Sequence, residues 1–365
     1  MSHTVEVPIE NQSSYPVVAG TGLWQELLEF CGMQFSSRQA FLVIDEKVAQ
    51  LHGEYVESGL SDYFGSVPVF RVPEGEQSKD LKWWNKLVDF LLKEGVERNT
   101  PLFAVGGGVT GDLAGFAAST TLRGVPLVHL PTSLLAMVDS SIGGKTGVNH
   151  ARGKNLIGAF YQPEAVFTDT GFLETLDRKE WINGLSEILK YAAIRRPALF
   201  DQLEHTIGED QFSPSERWTD IIIQSIRIKA EIVSKDTLES GIRAHLNFGH
   251  TFGHALEKIS GYGSISHGEA VFAGMLAALS ASRKLGAELE RNRIDHFKML
   301  YDLDLEPYSE RIPELIDAMR LDKKIKDNKI HLILLKEWAK PYIKKLDDTL
   351  IVEESWQEAI TELTA

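Results

Sequence analysis

The chain has 365 residues, more than one hydrophobic core usually holds, so we expect two domains. No apolar run is long enough to span a membrane, the first twenty residues lack the apolar core of a signal peptide, and the single cysteine, Cys31, excludes an intrachain disulfide. A net charge of −14 argues against nonspecific binding to nucleic acid or anionic membranes. Together these features predict a cytoplasmic globular protein.

In the first half of the chain, short apolar runs alternate with helical patterns. Strands are predicted at residues 41–45, 68–72, 102–105, 126–130 and 165–169. Between the second and third runs, the apolar residues have the spacing of a helix that faces a core: Trp84, Leu87, Val88, Leu91 and Leu92. Alternation of this kind predicts a parallel sheet with crossover helices.

After about residue 174 the pattern becomes mostly helical. Helices are predicted at residues 178–194, 218–236, 268–286 and 311–321, and a late hairpin is predicted around residues 331–338. We place the domain boundary near residues 172–177. The sequence thus predicts an α/β domain over residues 1–174 and a mainly helical domain over residues 175–365.

A glycine-rich turn follows the strand predicted at 102–105. Gly106, Gly108 and Gly111 satisfy the pattern G-x-G-x-x-G, and a helix N-terminus after such a turn offers free N–H groups to a phosphate. The acidic residue expected about twenty positions later is missing. Earlier in the chain, Asp45 ends a strand, and residues 73–79 offer Glu76 and Lys79. The turn therefore predicts a variant nucleotide site, with a tight turn that binds nothing as the alternative.

A basic segment stands out in this acidic chain. Residues 139–163 carry Lys145, Arg152 and Lys154 among glycines and asparagines, with no acid after Asp139, and Arg123 lies just upstream. Lysines and exposed backbone N–H groups suit phosphate. We predict a small anionic ligand here; a solvated surface loop is the alternative.

A metal site is suggested by His250 and His254, which lie four residues apart and share one helix face. His267 begins a later helical pattern, and Glu187 lies three residues before Lys190 on an apolar helix. Two imidazoles and one carboxylate form the ligand set of a catalytic zinc- or cobalt-type site. Spacing leaves open whether His254 or His267 is the second imidazole, and periodicity favours His254.

Five stretches together resemble the 3-dehydroquinate synthases, a family of sugar phosphate cyclases: residues 106–119, 130–163, 184–192, 239–257 and 267–271. The resemblance runs from about Asp45 to beyond residues 321–324, which is most of the chain. It implies a dehydroquinate synthase-like fold whose N-terminal domain is a Rossmann-like variant that binds NAD.

In that family, 3-deoxy-D-arabino-heptulosonate 7-phosphate becomes 3-dehydroquinate and phosphate, a step of the shikimate pathway to aromatic amino acids. The resemblance implies transient oxidation by tightly held NAD, phosphate elimination, re-reduction, and intramolecular aldol closure. It also implies a divalent metal, Zn²⁺ or Co²⁺, and a cytoplasmic homodimer.

Matched by motif, the resemblance makes Glu187, His250 and His267 the metal ligands, in place of the pair favoured by periodicity. His254 becomes a catalytic residue outside the coordination sphere. The substrate contacts it implies are Arg123 from the neighbouring subunit, Asp139, Lys145, Lys154, Asn155, Lys190, Lys229, Arg243, Asn247, His254 and either Lys323 or Lys324. Among these, Lys145, Asn155 and Lys190 are implied to be catalytic together with His254.

The NAD contacts implied by the resemblance lie in the first half of the chain. They are Asp45, Glu76, Lys79, Gly107, Gly108, Val109, Asp112, Thr132, Ser133, Lys145, Lys154 and Thr175. Three positions depart from the family pattern. Ser133 replaces a threonine, Met137 replaces a glutamine, and Lys47 stands near an expected asparagine.

Three other functions compete with this interpretation. A metal-dependent NAD alcohol or glycerol dehydrogenase shares the two-domain plan, but its metal set usually begins with aspartate and it needs no dense phosphate pocket. A sister cyclase with another substrate is disfavoured by Arg243 and Asn247. A regulator that has lost catalysis should lack a metal or proton-transfer residue, and none is missing from the motifs.

Overall fold

The computed structural model describes residues 2–9, 13–239, 241–261, 264–290, 292–322 and 329–364, apart from the side chains of residues 321 and 322. The chain divides into two compact units. The first comprises Met1–Glu180 and Ser213–Leu238, and the second comprises Trp181–Phe212 and Glu239–Ala365.

Strands form from short runs rich in β-branched and aromatic residues. Those of the first unit are β1 (His3–Val7), β2 (Tyr15–Gly20), β3 (Phe41–Asp45), β4 (Val69–Val72), β5 (Leu102–Gly106), β6 (Leu127–Pro131), β7 (Lys145–His150), β8 (Gly153–Phe160) and β9 (Ala165–Asp169). Those of the second unit are β10 (Ile330–Leu335) and β11 (Pro341–Leu346).

The helices complete the inventory of long elements in the described residues. The first unit contains α1 (Trp24–Gln34), α2 (Glu46–Phe64), α3 (Leu81–Lys93), α4 (Gly108–Thr120) and α7 (Glu216–Lys235). The second contains α5 (Arg178–Ile194, from Trp181 onward), α6 (Ala198–Asp210), α8 (His250–Ser260), α9 (His267–Lys284), α10 (Asn292–Lys298), α11 (Ile312–Asp322) and α12 (Leu350–Thr364). Within the described ranges, no helix has both the length and the apolar character that a membrane crossing needs.

A sheet organises the first unit. Within the described residues it has seven strands in the order β1–β2–β9–β6–β5–β3–β4. β1 pairs antiparallel with β2, and every other pairing in this sheet is parallel. A core cluster lies between the sheet and its helices, and its fully buried members include Phe41, Leu87, Leu91, Leu113 and Leu127. Parallel strands direct their carboxyl ends to one edge, where ligands of α/β proteins usually bind.

A separate hairpin in the first unit is formed by β7 and β8, which pair antiparallel. Two glycines make this pairing close. A Cβ atom on Gly147 would lie 2.6 Å from the carbonyl oxygen of Ile157, and one on Gly158 would overlap the carbonyl oxygen of Thr146. Because glycine is normally depleted in strands, the sequence patterns did not predict this hairpin.

Most predicted elements are confirmed. The strands predicted at 41–45 and 165–169 have the predicted bounds, and the other three differ by one residue. The late hairpin appears as β10 and β11, and the four predicted helices correspond to α5, α7, α9 and α11. One core assignment is wrong: Leu92 is 52% exposed, because it lies near the end of α3 on the side away from Leu87 and Leu91.

Each compact unit consists of two separate segments of the chain, so no single boundary in the sequence divides them. The predicted boundary at residue 174 places α7 in the C-terminal part, whereas the structure groups α7 with the first unit. The physical reason is that α7 packs against β1 and β2 of the sheet.

In the second unit, three helices approach one another through glycines. A Cβ atom on Gly274 of α9 would overlap the carbonyl oxygen of Gly249 and would lie 2.8 Å from the backbone nitrogen of Gly253 in α8. A Cβ atom on Gly268 of α9 would lie 2.5 Å from Cα of Asn183 in α5. The backbones of these helices are therefore almost in contact.

Candidate active site

The carboxyl ends of β3, β5 and β6 carry several of the predicted NAD contacts. Asp45 is the last residue of β3, and its Oδ1 accepts hydrogen bonds from the backbone N–H groups of Lys47 at 2.9 Å and Val48 at 3.2 Å. Burial raises the pKa of Asp45 although these two bonds act in the opposite direction. Thr132 and Ser133 follow β6 and are buried. The sheet topology thus gathers these residues at one edge.

The glycine turn between β5 and α4 leaves a helix N-terminus without a side-chain cap. Gly107 is the N-cap residue, and as a glycine it has no side chain that could accept from the first-turn N–H groups. A Cβ atom on Gly108 would lie 3.0 Å from Oγ of Ser140, so the backbone is close to its neighbours. Uncapped N–H groups and the helix dipole suit an anion, so the turn fits the pyrophosphate of a dinucleotide.

A buried ion pair lies beside this turn. The ammonium group of Lys79 bonds to the carboxylate of Asp112 on α4, and Lys79 is 5% exposed. Burial alone would lower the pKa of Lys79, but the charges of Asp112 and Glu76 outweigh it and raise the pKa. Lys79 therefore stays protonated at neutral pH.

The predicted phosphate-binding residues of the first unit belong to several elements. Lys145 begins β7, and Lys154 and Asn155 lie in β8. Lys229 of α7 donates to the carbonyl oxygen of Asp139 at 2.6 Å and pairs with the Asp139 carboxylate at 2.8 Å. These two residues are therefore neighbours, although they lie 90 residues apart in the sequence.

Arg123 and Thr175 occupy turns. Arg123 has a φ of 69° and follows Leu122, whose φ is 51°, so two successive residues adopt the left-handed conformation that favours glycine. Thr175 ends a short 3-10 segment, and its hydroxyl lies 2.7 Å from Nε2 of His52.

The three positions that depart from the family pattern, Lys47, Ser133 and Met137, lie in different environments. Lys47 forms an ion pair with Asp177, and both side chains are exposed. Met137 is fully buried in a π-helical turn. The Ser133 hydroxyl accepts a hydrogen bond from the N–H of Ala136 at 3.3 Å.

In the second unit, Glu187, His250 and His267 come together. Oε1 of Glu187 lies 3.3 Å from Nε2 of His250 and 3.4 Å from Nε2 of His267. One donor atom from each of the three lies within 4.8 Å of the others. The ring of His254 is centred 5.5 Å from that of His250 and 6.4 Å from that of His267. The grouping therefore differs from the pairing of His250 with His254 that helical periodicity favours.

Three separate helices supply these donors. Glu187 lies in α5, His250 is the first residue of α8, and His267 is the first residue of α9. The α9 N-terminus is fixed by a capping box in which the Ser266 hydroxyl and the Glu269 carboxylate accept each other's backbone N–H groups. Two imidazole nitrogens and one carboxylate oxygen fit a divalent metal with an open coordination position.

The electrostatics favour an ionised carboxylate at this centre. Burial alone would raise the pKa of Glu187, but the positive charge of Lys190 and the interactions with His250 and His267 lower it well below its usual value. Burial lowers the pKa of His250. Burial would also lower the pKa of His267, but the interactions with the carboxylates of Glu187 and Glu257 raise it to about 10.

Comparison with known proteins gives the family. The family model of the 3-dehydroquinate synthase N-terminal part matches residues 69–183, and that of the C-terminal part matches residues 184–325. A 3-dehydroquinate synthase from Salinibacter ruber is 44% identical over 335 residues, which cover 91% of each chain. The chain belongs to the 3-dehydroquinate synthase family.

Solved structures of sugar phosphate cyclases share the fold. A 2-deoxy-scyllo-inosose synthase complexed with carbaglucose-6-phosphate, NAD+ and Co²⁺ is 26% identical, covers 98% of this chain and 99% of its own, and has a TM-score of 0.83. A second structure is ValA, a 2-epi-5-epi-valiolone synthase from Streptomyces hygroscopicus subsp. jinggangensis with NAD+ and Zn²⁺ bound. It is 28% identical, covers 96% of this chain and 97% of its own, and has a TM-score of 0.83.

In this member of the 3-dehydroquinate synthase family, Glu239 is a polar residue beside two predicted substrate contacts that the sequence patterns did not single out. Asn247 donates from Nδ2 to Oε1 of Glu239 at 2.8 Å, and Arg243, four residues later in the chain than Glu239, is 1% exposed. Glu239 is the first residue of the motif 239–257, which also contains Arg243 and Asn247. Its place in that motif could have marked it as a candidate. Lys323 and Lys324 lie outside the described residues.

Proposed function

We propose that this protein is a 3-dehydroquinate synthase that converts 3-deoxy-D-arabino-heptulosonate 7-phosphate to 3-dehydroquinate and phosphate. The grouping of Glu187, His250 and His267 on three helices carries the proposal, because this chemistry needs a metal centre. The family membership and the 44% identity to a named synthase support the choice of reaction.

We assign NAD to the predicted N-terminal domain, residues 1–174, with Thr175 just beyond it. The turn at Gly107, Gly108 and Val109 would hold the pyrophosphate at the uncapped N-terminus of α4. The remaining contacts would be Asp45, Glu76, Lys79, Asp112, Thr132, Ser133, Lys145, Lys154 and Thr175. When bound, NAD supplies a hydride acceptor that becomes the donor later in the same turnover.

We assign the metal and part of the substrate to residues 175–365. Glu187, His250 and His267 would ligate Zn²⁺ or Co²⁺, the ions present in two solved cyclase structures. When bound, the ion acts as a Lewis acid that lowers the pKa of hydroxyl groups. Lys190 lies against Glu187 and is 2% exposed, so it compensates the buried carboxylate while its charge stays out of bulk water.

The basic residues would bind the sugar phosphate and stabilise phosphate as it leaves. These residues are Arg123, Lys145, Lys154, Lys190, Lys229 and Arg243, with Lys323 or Lys324 as a further candidate. Charge-assisted hydrogen bonds to a developing phosphate anion strengthen as the charge grows, which accelerates elimination. Asp139, Asn155 and Asn247 would orient the substrate by hydrogen bonds.

His254 would be a proton-transfer residue. It lies one helical turn after His250 in α8 and is partly buried, outside the group of three donors. An imidazole next to a metal centre suits general acid–base chemistry near neutral pH.

A sister cyclase and an alcohol dehydrogenase are less well supported. The two solved cyclases with other substrates are 26% and 28% identical, against 44% for the Salinibacter synthase. A dehydrogenase has no use for this set of basic residues, and its metal set usually begins with aspartate. We also propose a cytoplasmic homodimer in which Arg123 serves the neighbouring subunit.

A turnover assay tests the proposal. Purified protein receives the heptulosonate phosphate, a divalent metal and catalytic NAD+, and both free phosphate and the carbocycle are measured. We expect one phosphate per carbocycle and no net NADH. Accumulation of NADH with simple polyols, without phosphate release, would instead identify a dehydrogenase.

A further inference from the structure

Asn149, near the end of β7, bonds to two other segments of the first unit. Its side-chain Nδ2 donates to Oε1 of Glu76 at 2.7 Å, and its Oδ1 accepts from the backbone N–H of Asn155 at 2.9 Å. Its own backbone N–H donates to the carbonyl oxygen of Lys79 at 2.8 Å. One residue thus contacts the segment that carries Glu76 and Lys79 and the strand that carries Asn155.

The backbone of the hairpin explains why Asn149 is available for these contacts. The β7–β8 register pairs Val148 with Ile157 but His150 with Gly153, so β8 carries two extra residues opposite Asn149. Bulges redirect side chains out of the regular ladder. Next to this irregularity, the N–H of Asn149 bonds outside the hairpin, to the carbonyl oxygen of Lys79.

The bond to Asn155 supports an unfavourable conformation. Asn155 has a φ of 55°, in the left-handed region that asparagine tolerates better than most residues. The hydrogen bond from its N–H to Asn149 holds this conformation, which determines where the side chains of Asn155 and its neighbour Lys154 are presented.

We propose that Asn149 is a positioning residue that couples the nucleotide-binding segment at Glu76 and Lys79 to the phosphate-binding strand at Lys154 and Asn155. The inference rests on the proposed function, which assigns NAD to the first pair and substrate to Asn155. An amide is needed because one side chain must both donate to a carboxylate and accept from an N–H group.

Four variants separate the two bonds. N149A removes both. N149D keeps an acceptor for Asn155 but places a carboxylate against Glu76. E76Q alone measures what the charge of Glu76 contributes to NAD binding. In the double variant N149D/E76Q, the new amide at position 76 donates to the new carboxylate at position 149, which restores both bonds.

A matched control exists on the surface of α3. Asn85 donates from Nδ2 to Oδ2 of Asp89 at 3.0 Å, so N85D also places one carboxylate against another in the same unit. N85D thus measures the effect of an asparagine-to-aspartate change beside a carboxylate, at a position remote in sequence from the β7–β8 hairpin. Thermal unfolding of every variant measures any loss of fold.

The readouts are the NAD dissociation constant, measured without substrate, and KM and kcat for the sugar phosphate. Loss of one hydrogen bond corresponds to about a fivefold change. We expect N149A to raise both the NAD dissociation constant and the substrate KM about fivefold or more. N149D should raise mainly the NAD dissociation constant, N149D/E76Q should recover most of that loss relative to N149D, and N85D should change neither.

The inference is overturned if N149D behaves like N85D, or if the double variant binds NAD no better than N149D. Failure of the proposed function has a different signature. The wild-type protein would then release no phosphate from the heptulosonate phosphate, whereas the NAD-binding comparison among the variants would still decide the role of Asn149.

Discussion

The carboxylate of Glu257 lies 3.6 Å from Nδ1 of His267, whose Nε2 faces Glu187. Glu257 is 4% exposed and belongs to α8, whereas His267 begins α9. In metal sites, a carboxylate beside the second ring nitrogen fixes the tautomer and raises the basicity of the metal-binding nitrogen.

Replacing Glu257 should therefore weaken metal binding. We expect E257A to reduce metal affinity about tenfold or more, because the His267 ring loses its orientation. Competition with a chelator of known affinity measures this loss in the absence of substrate. E257Q keeps an acceptor and should lie between E257A and the wild type, so equal affinity in all three proteins would contradict the expected role.

The two histidines of α8 should respond differently to removal. We expect H250A to lose the bound metal, and H254A to retain it while kcat falls about a hundredfold or more through loss of proton transfer. Metal content after dialysis, measured on both variants beside the wild type, tests the difference. Equal loss of metal would mean that His250 and His254 are the ligand pair, as helical periodicity favours.

The close approach of α8 and α9 predicts a sensitive glycine. We expect G274A to destabilise the protein by about 2 kcal/mol, because the added methyl group overlaps the backbone of Gly249 and forces the helices apart. Its metal affinity should fall as well, since His250 and His267 would separate. Urea unfolding and chelator competition measure the two effects.

Gly208 in α6 provides the control for this substitution. A Cβ atom there would meet nothing within 4 Å, so G208A should be neutral or should stabilise the helix by about 0.5–1 kcal/mol. If G274A is as stable as G208A, the packing of α8 on α9 is looser than described.

Acid should destabilise the first unit through His129. This residue of β6 is 6% exposed, and burial lowers its pKa from 6.5 to about 4. Between these two values the unfolded chain binds a proton that the folded chain does not, so stability falls as pH decreases from 6.5 towards 4. The full contribution is about 3 kcal/mol.

Unfolding in urea at pH 7.5 and pH 5 measures this effect. H129F removes the titrating group and should show a smaller loss of stability than the wild type over the same interval. Identical pH dependence in the two proteins would mean that His129 does not contribute to the acid sensitivity.

Sequence patterns predicted five of the strands that pair in parallel, because runs such as β3 and β9 are short, apolar and buried on both faces, but they did not predict β2. They did not predict the β7–β8 hairpin, because Gly147 and Gly158 interrupt its apolar alternation. These glycines allow the two backbones to approach closely. They also assigned α7 by its position in the chain, although its packing against β1 and β2 groups it with the first unit.

For the site, spacing identified candidate donors but did not select among them. His250 and His254 are neighbours on one helix, so periodicity favours them, whereas His267 reaches Glu187 only because α9 packs closely on α5 and α8. Such long-range packing leaves no periodic signal in the sequence. The similarity to known motifs supplied the set that the structure brings together.

Where α8 and α9 meet, the contact is between main-chain atoms, with no side chain between Gly249 and Gly274. Main-chain contacts have no rotamers to exchange, so the spacing between the first residues of the two helices does not depend on side-chain rearrangement. An incoming ion would meet imidazoles that are already preorganised, and little of its binding free energy would be consumed in ordering the chain. The glycines would then set metal affinity without any of their atoms touching the metal.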